Sequence, residues 1–301
     1  MDAWIDSPNL TEQSHLIDEF LYFYLFFSPV AHLEVDERRS LIIRAIEGST
    51  EYRIGVGDRL KENAFEALRL CIEGFLAWQP NGLDPTRDLQ DVREQSFILL
   101  YRLLFIIYAE DRQLLPYKVN RTYTNNRSLG RLRDDVASRL DNIRYKREAA
   151  YSSSEATKWA YLMELFDLVD RGHKAYGVPA YNGGLFDGEA HPFLNKNEIS
   201  DFYMSQIIDE IGRAFDPLYS HLGRSRVDYH DLSIQHLGSI YEGLLELQPH
   251  HASEMMVVIS RRVQGRAEEK VQPLSKAIEG RFQRDGYQIS PRVGLSPDGQ
   301  G

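Results

Sequence analysis

Thirteen consecutive residues, Phe97 to Ala109, are apolar or aromatic with the sole interruption of Arg102, and they end abruptly in Glu110-Asp111-Arg112. A run of this kind is too short to cross a bilayer, which needs about 20 residues. As a helix it is apolar on nearly every side, and a helix like that is stable in water only when other elements surround it. The chain must therefore supply a bundle, and 301 residues at 43% apolar and 27% charged are enough for one large domain or two of ordinary size. A second apolar run, Phe20–Phe27, is shorter still.

Apolar spacing reads as helix along most of the chain. Over Asp58–Trp78, Leu60, Ala64, Ala67, Leu68, Cys71, Ile72, Phe75 and Leu76 recur at three or four residues, with Asp58 placed to cap the first turn. From Ser154, Trp159, Leu162, Met163, Phe166 and Val169 define one face, and Gly172 stands where a left-handed terminator belongs. Further helices are expected at Glu12–Phe27, Glu37–Glu47, Ser128–Arg147, Ser200–Phe215 and Asp231–Leu247. Between Gly172 and Glu198 glycine, proline and aromatic residues alternate. That texture reads as an ordered loop packed by its own side chains, with Tyr181-Asn-Gly-Gly-Leu-Phe186 as a turn needing positive φ at Gly183 or Gly184. After Leu247 the helical period stops, and Met255–Ile259 and Gly286–Ile289 read as short strands. The expected fold class is mainly α, a multi-helix bundle with a small C-terminal β element. Residues 1–247 would form the helical domain and 248–291 a β-containing extension. Residues 292–301 would be a tail that was never selected to fold.

Charge is segregated. The net charge is −10, yet residues 118–147 carry +6 and residues 261–292 carry +4, leaving −20 elsewhere. Such a strip, with Arg121, Arg127, Arg131, Arg133, Lys146 and Arg147 as its candidate contacts, could follow a phosphate backbone. It could equally be a solvated helix face. The single cysteine, Cys71, excludes an internal disulfide and a thiolate metal cluster, and lies on an apolar helix face as a core thiol. Met1–Leu10 holds Asp2 and Asp6 and no basic residue, unlike a secretion signal, so a cytoplasmic location is expected. Glu268-Glu269-Lys270 has the Glu-x-Lys spacing of metal-dependent nucleases but no apolar strand around it, and His250-His251 point apart in any regular element. Glu110-Asp111-Arg112 reads as a structural cluster at the bundle's interior or rim, with Arg102 as a candidate partner.

Four segments in this order resemble one family. They are Asp58-Arg-Leu-Lys-Glu with its amphipathic helix, Leu100-Tyr-Arg-Leu-Leu-Phe-Ile-Ile-Tyr-Ala-Glu-Asp-Arg-Gln-Leu-Leu-Pro116, Tyr181-Asn-Gly-Gly-Leu-Phe186, and Leu237-Gly-Ser-Ile-Tyr-Glu-Gly-Leu-Leu-Glu246. Together they resemble the helical region that precedes the methyltransferase domain in large bacterial DNA adenine-N6 methyltransferases, among them type II restriction–modification and phage-defence enzymes. The resemblance implies DNA and the methyltransferase and target-recognition domains as partners, and S-adenosylmethionine as the cofactor of the whole enzyme. It transfers no catalytic, cofactor-binding or metal residue, because the Asn/Asp-Pro-Pro-Tyr/Phe motif that holds a flipped adenine has no counterpart in a chain without a Pro-Pro pair. The expected role is a scaffold that lines DNA, inactive alone and cut before its catalytic domain, whose continuation would lie in a shifted frame. Gly238 and Gly243 would admit a close neighbour, and Tyr241 and Leu244 would be core residues. The rival readings are an autonomous helical adaptor that binds a protein partner, and a hydrolase acting through Glu110-Asp111-Arg112.

Overall fold

The computed structural model describes residues 40–142, 150–181, 183–215, 223–230, 234–246, 256–263, 266–278 and 288–289, with isolated positions at Ser28, Leu232, Ala252 and Glu254. The helix expected at Glu12–Phe27, Lys146, Arg147, His250-His251 and the tail 292–301 lie outside the described residues. Contacts divide the chain into two units, Met1–Arg59 with Phe215–Gly223, and Leu60–Ala214 with Arg224–Gly301. Of the first unit, the described part is chiefly the opening half of helix α1, where Ser40 Oγ accepts from the Ile43 amide at 3.4 Å. Nearly all other described elements belong to the second unit.

The protein is mainly α, with a small C-terminal β element. Helix α1 runs Leu41–Ala77, α2 Leu89–Asp111, α3 Arg121–Asn126, α4 Leu129–Asp141 and α5 Thr157–Arg171. Then come the short α6 at Pro192–Lys196, α7 at Asp201–Gly212 and α8 at Ile234–Leu245. Strands β1 (Arg213–Phe215) and β2 (Arg224–Arg226) pair between α7 and α8. The terminal sheet has the order β4-β3-β5, built from β3 (Met256–Val263), β4 (Arg266–Pro273) and β5 (Gln288–Ile289), with α9 (Leu274–Ile278) following β4. β3 pairs antiparallel with both neighbours, Val258 opposite Val271 on one side and Ile259 opposite Ile289 on the other.

The central position of α2 follows from its composition. Val92, Phe97, Leu99, Leu100, Leu103, Leu104, Ile106, Ile107 and Ala109 are all buried, and α4 and α6 pack against it. The predicted face of α1 is likewise buried, including Leu60, Ala64, Ala67, Cys71 and Phe75. Phe75 meets Trp159 of α5 and Phe193 of α6 edge-on, with centroids 5.5 and 5.2 Å away. The described residues of the 172–198 segment pack on the helices as expected. Phe186 is buried between Phe105 and Phe166, and the Tyr181 hydroxyl donates to the Leu114 carbonyl at 3.0 Å.

Several local expectations are corrected. Asp58 does not open a helix, because α1 continues uninterrupted from Leu41. Gly183 and Gly184 form the expected turn without positive φ; that conformation occurs instead at Gly172 (φ 70°) and Gly177 (φ 69°), where α5 ends and a small hairpin between His173 and Val178 reverses the chain. Gly172 has ψ 163°, outside the left-handed helical region. The helix expected to run to Phe215 stops at Gly212 and becomes β1. Residues 266–273, too charged to be read as a strand, form β4 because β3 supplies a full antiparallel ladder.

Candidate functional site

The polar cluster at the end of α2 is assembled by a tight turn that brings the chain back as α3 and α4. Asn120 starts α3, its side-chain oxygen accepting from the Thr122 and Tyr123 amides. Ser128 starts α4, its hydroxyl accepting from the Arg131 amide at 3.0 Å. The next two donors of that helix terminus point at Glu110: Leu129 N at 2.8 Å from Oε1 and Gly130 N at 2.6 Å from Oε2. The Tyr123 hydroxyl adds a third hydrogen bond to Oε1 at 2.7 Å. One carboxylate thus satisfies two of the four amide groups that a helix start leaves without partners, in the place where the helix dipole favours negative charge. Gly130 is required by this approach, since a Cβ there would stand 2.9 Å from Glu110 Oε2 and 2.9 Å from Tyr117 Cζ.

Glu110 is only 2% exposed. Burial pushes its carboxyl up to about 7, against the opposing pull of the Tyr123 hydroxyl, the two amides and Arg133. The neighbouring Asp111 turns the other way. It accepts from Arg226 at 2.8 Å and from the Tyr229 amide at 3.2 Å, tying the end of α2 to the strand β2 and the segment after it. Tyr229 is itself buried and donates to the Ile211 carbonyl at 2.6 Å. Arg112 lies over the Tyr108 ring and donates to the Leu232 carbonyl at 3.0 Å. Glu110-Asp111-Arg112 is therefore a joint linking α2, α4, β2 and the approach to α8.

Arg102 is not its partner. That guanidinium, 1% exposed, donates to the Leu185 carbonyl at 2.6 Å and lies over the rings of Phe166 and Phe186. Burial pushes it down to about 10, with Asp170 and Asp187 acting in the opposite sense. It anchors the 181–187 turn to α2, two segments that nothing in their spacing connects.

Among the described residues the expected basic strip is interrupted at Arg133. Arg133 is 2% exposed, its nearest carboxylates are Asp111 at 3.6 Å and Asp134 at 3.8 Å, and none of its guanidinium nitrogens makes a hydrogen bond. Gly212 of α7 lies against its stem, where a Cβ would come within 2.6 Å. Arg127 pairs with Glu164 at 2.8 Å, and Arg131 donates to the Asn125 carbonyl at 2.6 Å and lies 3.7 Å from Asp135. Arg121 is exposed on α3. The cause is helical geometry: residues 129–141 are one α-helix, so basic residues adjacent in sequence are spread around it and only part of the set shares a face.

The fourth segment of the resemblance also divides. On α8, Ile240 and Leu244 are buried, while Tyr241 is 46% exposed and Leu245 is 46% exposed. Tyr241 rests against Tyr101, with centroids 4.7 Å apart, and is therefore no core residue. Gly243 behaves as expected, since a Cβ there would meet Lys61 Cε of α1 at 2.6 Å; Gly238 faces open space. Glu268-Glu269-Lys270 lies on β4 opposite Arg261, Ser260 and Ile259, so no aspartate occupies the facing register positions. Among the described residues no group of acidic, histidine and cysteine side chains is arranged to hold a metal ion, and no helix is long and apolar enough to cross a membrane. Signals for Tyr123 and Gly130 were present as a turn-rich stretch between helices, but nothing in their spacing showed that both face Glu110. Comparison with protein-family models, with curated proteins and with solved structures returned no match.

Proposed function

We propose that this chain is the helical scaffold of a bacterial DNA adenine-N6 methyltransferase of the restriction–modification and phage-defence type. It would serve as a platform on which the methyltransferase domain packs, and would not itself be catalytic. The observation that carries the reading is the surface of α8. This helix comes from one of the two longest segments of the resemblance, yet it leaves Tyr241 and Leu245 about half exposed beside a fully buried Leu244. An exposed aromatic and aliphatic pair on an otherwise ordered helix is the kind of surface that a partner covers. The cluster around Glu110 supports the same role. Its groups are engaged in joining helices, which suits a rigid support.

S-adenosylmethionine would belong to the partner domain. The Tyr181–Phe186 turn is packed by its own aromatic side chains, and the sequence has no Pro-Pro pair to grip a base, so no methyl-transfer step is assigned to residues of this chain. The test is to express the chain together with the reading frame that follows it in its own genome, then to assay co-purification and transfer of labelled methyl groups to adenine in DNA. Retention of a methyltransferase domain, lost with Tyr241→Lys and Leu245→Lys, is expected. Failure to retain any methyltransferase domain would overturn the proposal.

A second reading, an adaptor that binds protein and not DNA, is favoured by the fate of the basic strip. Among the described members of the strip, Arg133 is buried and Arg127 and Arg131 pair with carboxylates, which weakens them as phosphate contacts. A salt titration of DNA binding separates the two.

A further inference from the structure

A cleft of about 630 Å³ opens where the end of α4 meets the start of α5, lined by Arg139, Tyr151, Ser152, Ser153, Lys158 and Asp201 among others. That volume suits a small-molecule ligand. Two cations converge on one ring in it. The Lys158 ammonium lies 4.0 Å and the Arg139 guanidinium 4.7 Å from the centroid of Tyr151. The start of α5 opens on the same space, with Thr157 and Lys158 as its first residues.

Charge in the cleft is unevenly spent. Asp201 is held by the Thr157 hydroxyl at 2.5 Å, the Lys158 amide at 2.8 Å and the Lys158 ammonium at 3.4 Å. Its negative charge is thereby offset within the α5 terminus. Arg139 is exposed and has the Tyr151 ring as its contact, without a carboxylate in reach among the described residues. Glu155 is exposed at the rim, and its backbone carbonyl accepts the Asp201 amide. The hydroxyls of Ser152 and Ser154 meet at 3.0 Å, and Ser153 between them is exposed. Burial and the nearby Arg139 hold the Lys158 ammonium below its ordinary value, while Asp201 and, to a lesser degree, Glu155 work against both. A bound anion would oppose that depression, so binding of an anion and full protonation of Lys158 favour one another.

We propose that this cleft binds the phosphate group of a small phosphorylated molecule, held by Arg139 and Lys158 and hydrogen-bonded by the hydroxyls of Ser152 and Ser153 in the loop before α5. Arg139 supplies the planar fork that suits phosphate oxygens, and Lys158 supplies a point charge beside it. The volume exceeds that of the anion alone and leaves room for a body the size of a nucleoside. The inference does not rest on the scaffold reading, because none of these residues belongs to α8 or to the Glu110 cluster.

The test is calorimetric titration of the full chain with inorganic phosphate, with a nucleoside 5′-monophosphate and with a short DNA duplex, each at fixed ionic strength. Saturable binding of the monophosphate is expected, weaker for inorganic phosphate. Arg139→Gln should reduce the affinity at least tenfold, and Ser153→Glu, a change at an exposed loop position, should abolish it. Binding confined to the duplex but lost in both variants would assign the same phosphate chemistry to nucleic acid and overturn the small-molecule proposal. So would no binding of any probe, or affinities unchanged in Arg139→Gln and Ser153→Glu. Far-ultraviolet circular dichroism and melting of each variant establish that it is folded before its affinity is read.

Discussion

Two residues decide how the polar interior behaves. Arg133 stands in a basic run, yet it is sealed between α4 and α7 beside Asp111. Arg133→Glu would place a second carboxylate against Asp111 away from water and should cost more than about 3 kcal/mol. Arg133→Met, which keeps the stem but removes the cation, should cost less, because Arg226 and the Tyr229 amide still hold the Asp111 carboxylate. Urea denaturation of the two variants checks the contrast, and equal, small effects would place Arg133 at the surface. Glu110 sets a pH dependence. Its carboxyl is raised from 4.5 to about 7 in the folded chain, chiefly by burial, so the folded state keeps a proton that the unfolded chain releases. Stability from this group is complete below about pH 4.5, falls as pH rises towards 7 and is level above that, a loss of about 3 kcal/mol at most. Denaturation midpoints from pH 5 to 8 should show the decline, and Glu110→Gln, which stays uncharged over that range, should flatten it.

At the scale of elements, α8 separates what packs from what is presented. Leu244 is fully buried, so Leu244→Ala should cost about 2–5 kcal/mol. Tyr241→Ala removes an exposed ring and its contact with Tyr101, and about 0.5–1.5 kcal/mol is expected. Denaturant midpoints measure both. A Tyr241 effect as large as that of Leu244 would mean that the ring is part of the core and would remove the exposed face from the scaffold reading. The helix at Asp58–Trp78 was legible because its apolar period is unbroken; its union with the helix expected at Glu37–Glu47 was not, since Gly48, Gly55 and Gly57 lower helix propensity between them. β4 was illegible for the opposite reason. Its composition, Arg-Ala-Glu-Glu-Lys-Val-Gln-Pro, carries little strand propensity, and the ladder with β3 overrides it.

At the scale of the whole chain, the net charge of −10 opposes DNA while local patches could favour it. Among the described residues of the 118–147 strip, Lys118, Arg121 and Arg139 are exposed without a carboxylate ion pair. Any DNA binding through that part of the chain should therefore show a salt slope of about −3 in log K against log salt, whereas all the named strip residues acting together would give about −5. Fluorescence anisotropy between low and moderate salt measures it. The steeper slope would restore the strip as a continuous surface.

What the sequence determined by itself was the class of fold and its centre. A thirteen-residue run that is apolar on nearly every side can only be the middle of a bundle, and the three- and four-residue periods around it name the faces that cover it. Spacing along a chain reports which way side chains point from their own element. It does not report what faces them. That Glu110 caps α4, that Arg102 holds the 181–187 turn, that Arg133 is buried and that Arg139 and Lys158 meet over Tyr151 depend on how separate segments of the chain come together. Charge placement is settled there because a side chain with a long stem can be solvated, paired or buried at the same sequence position, and the packing of its neighbours decides which costs least.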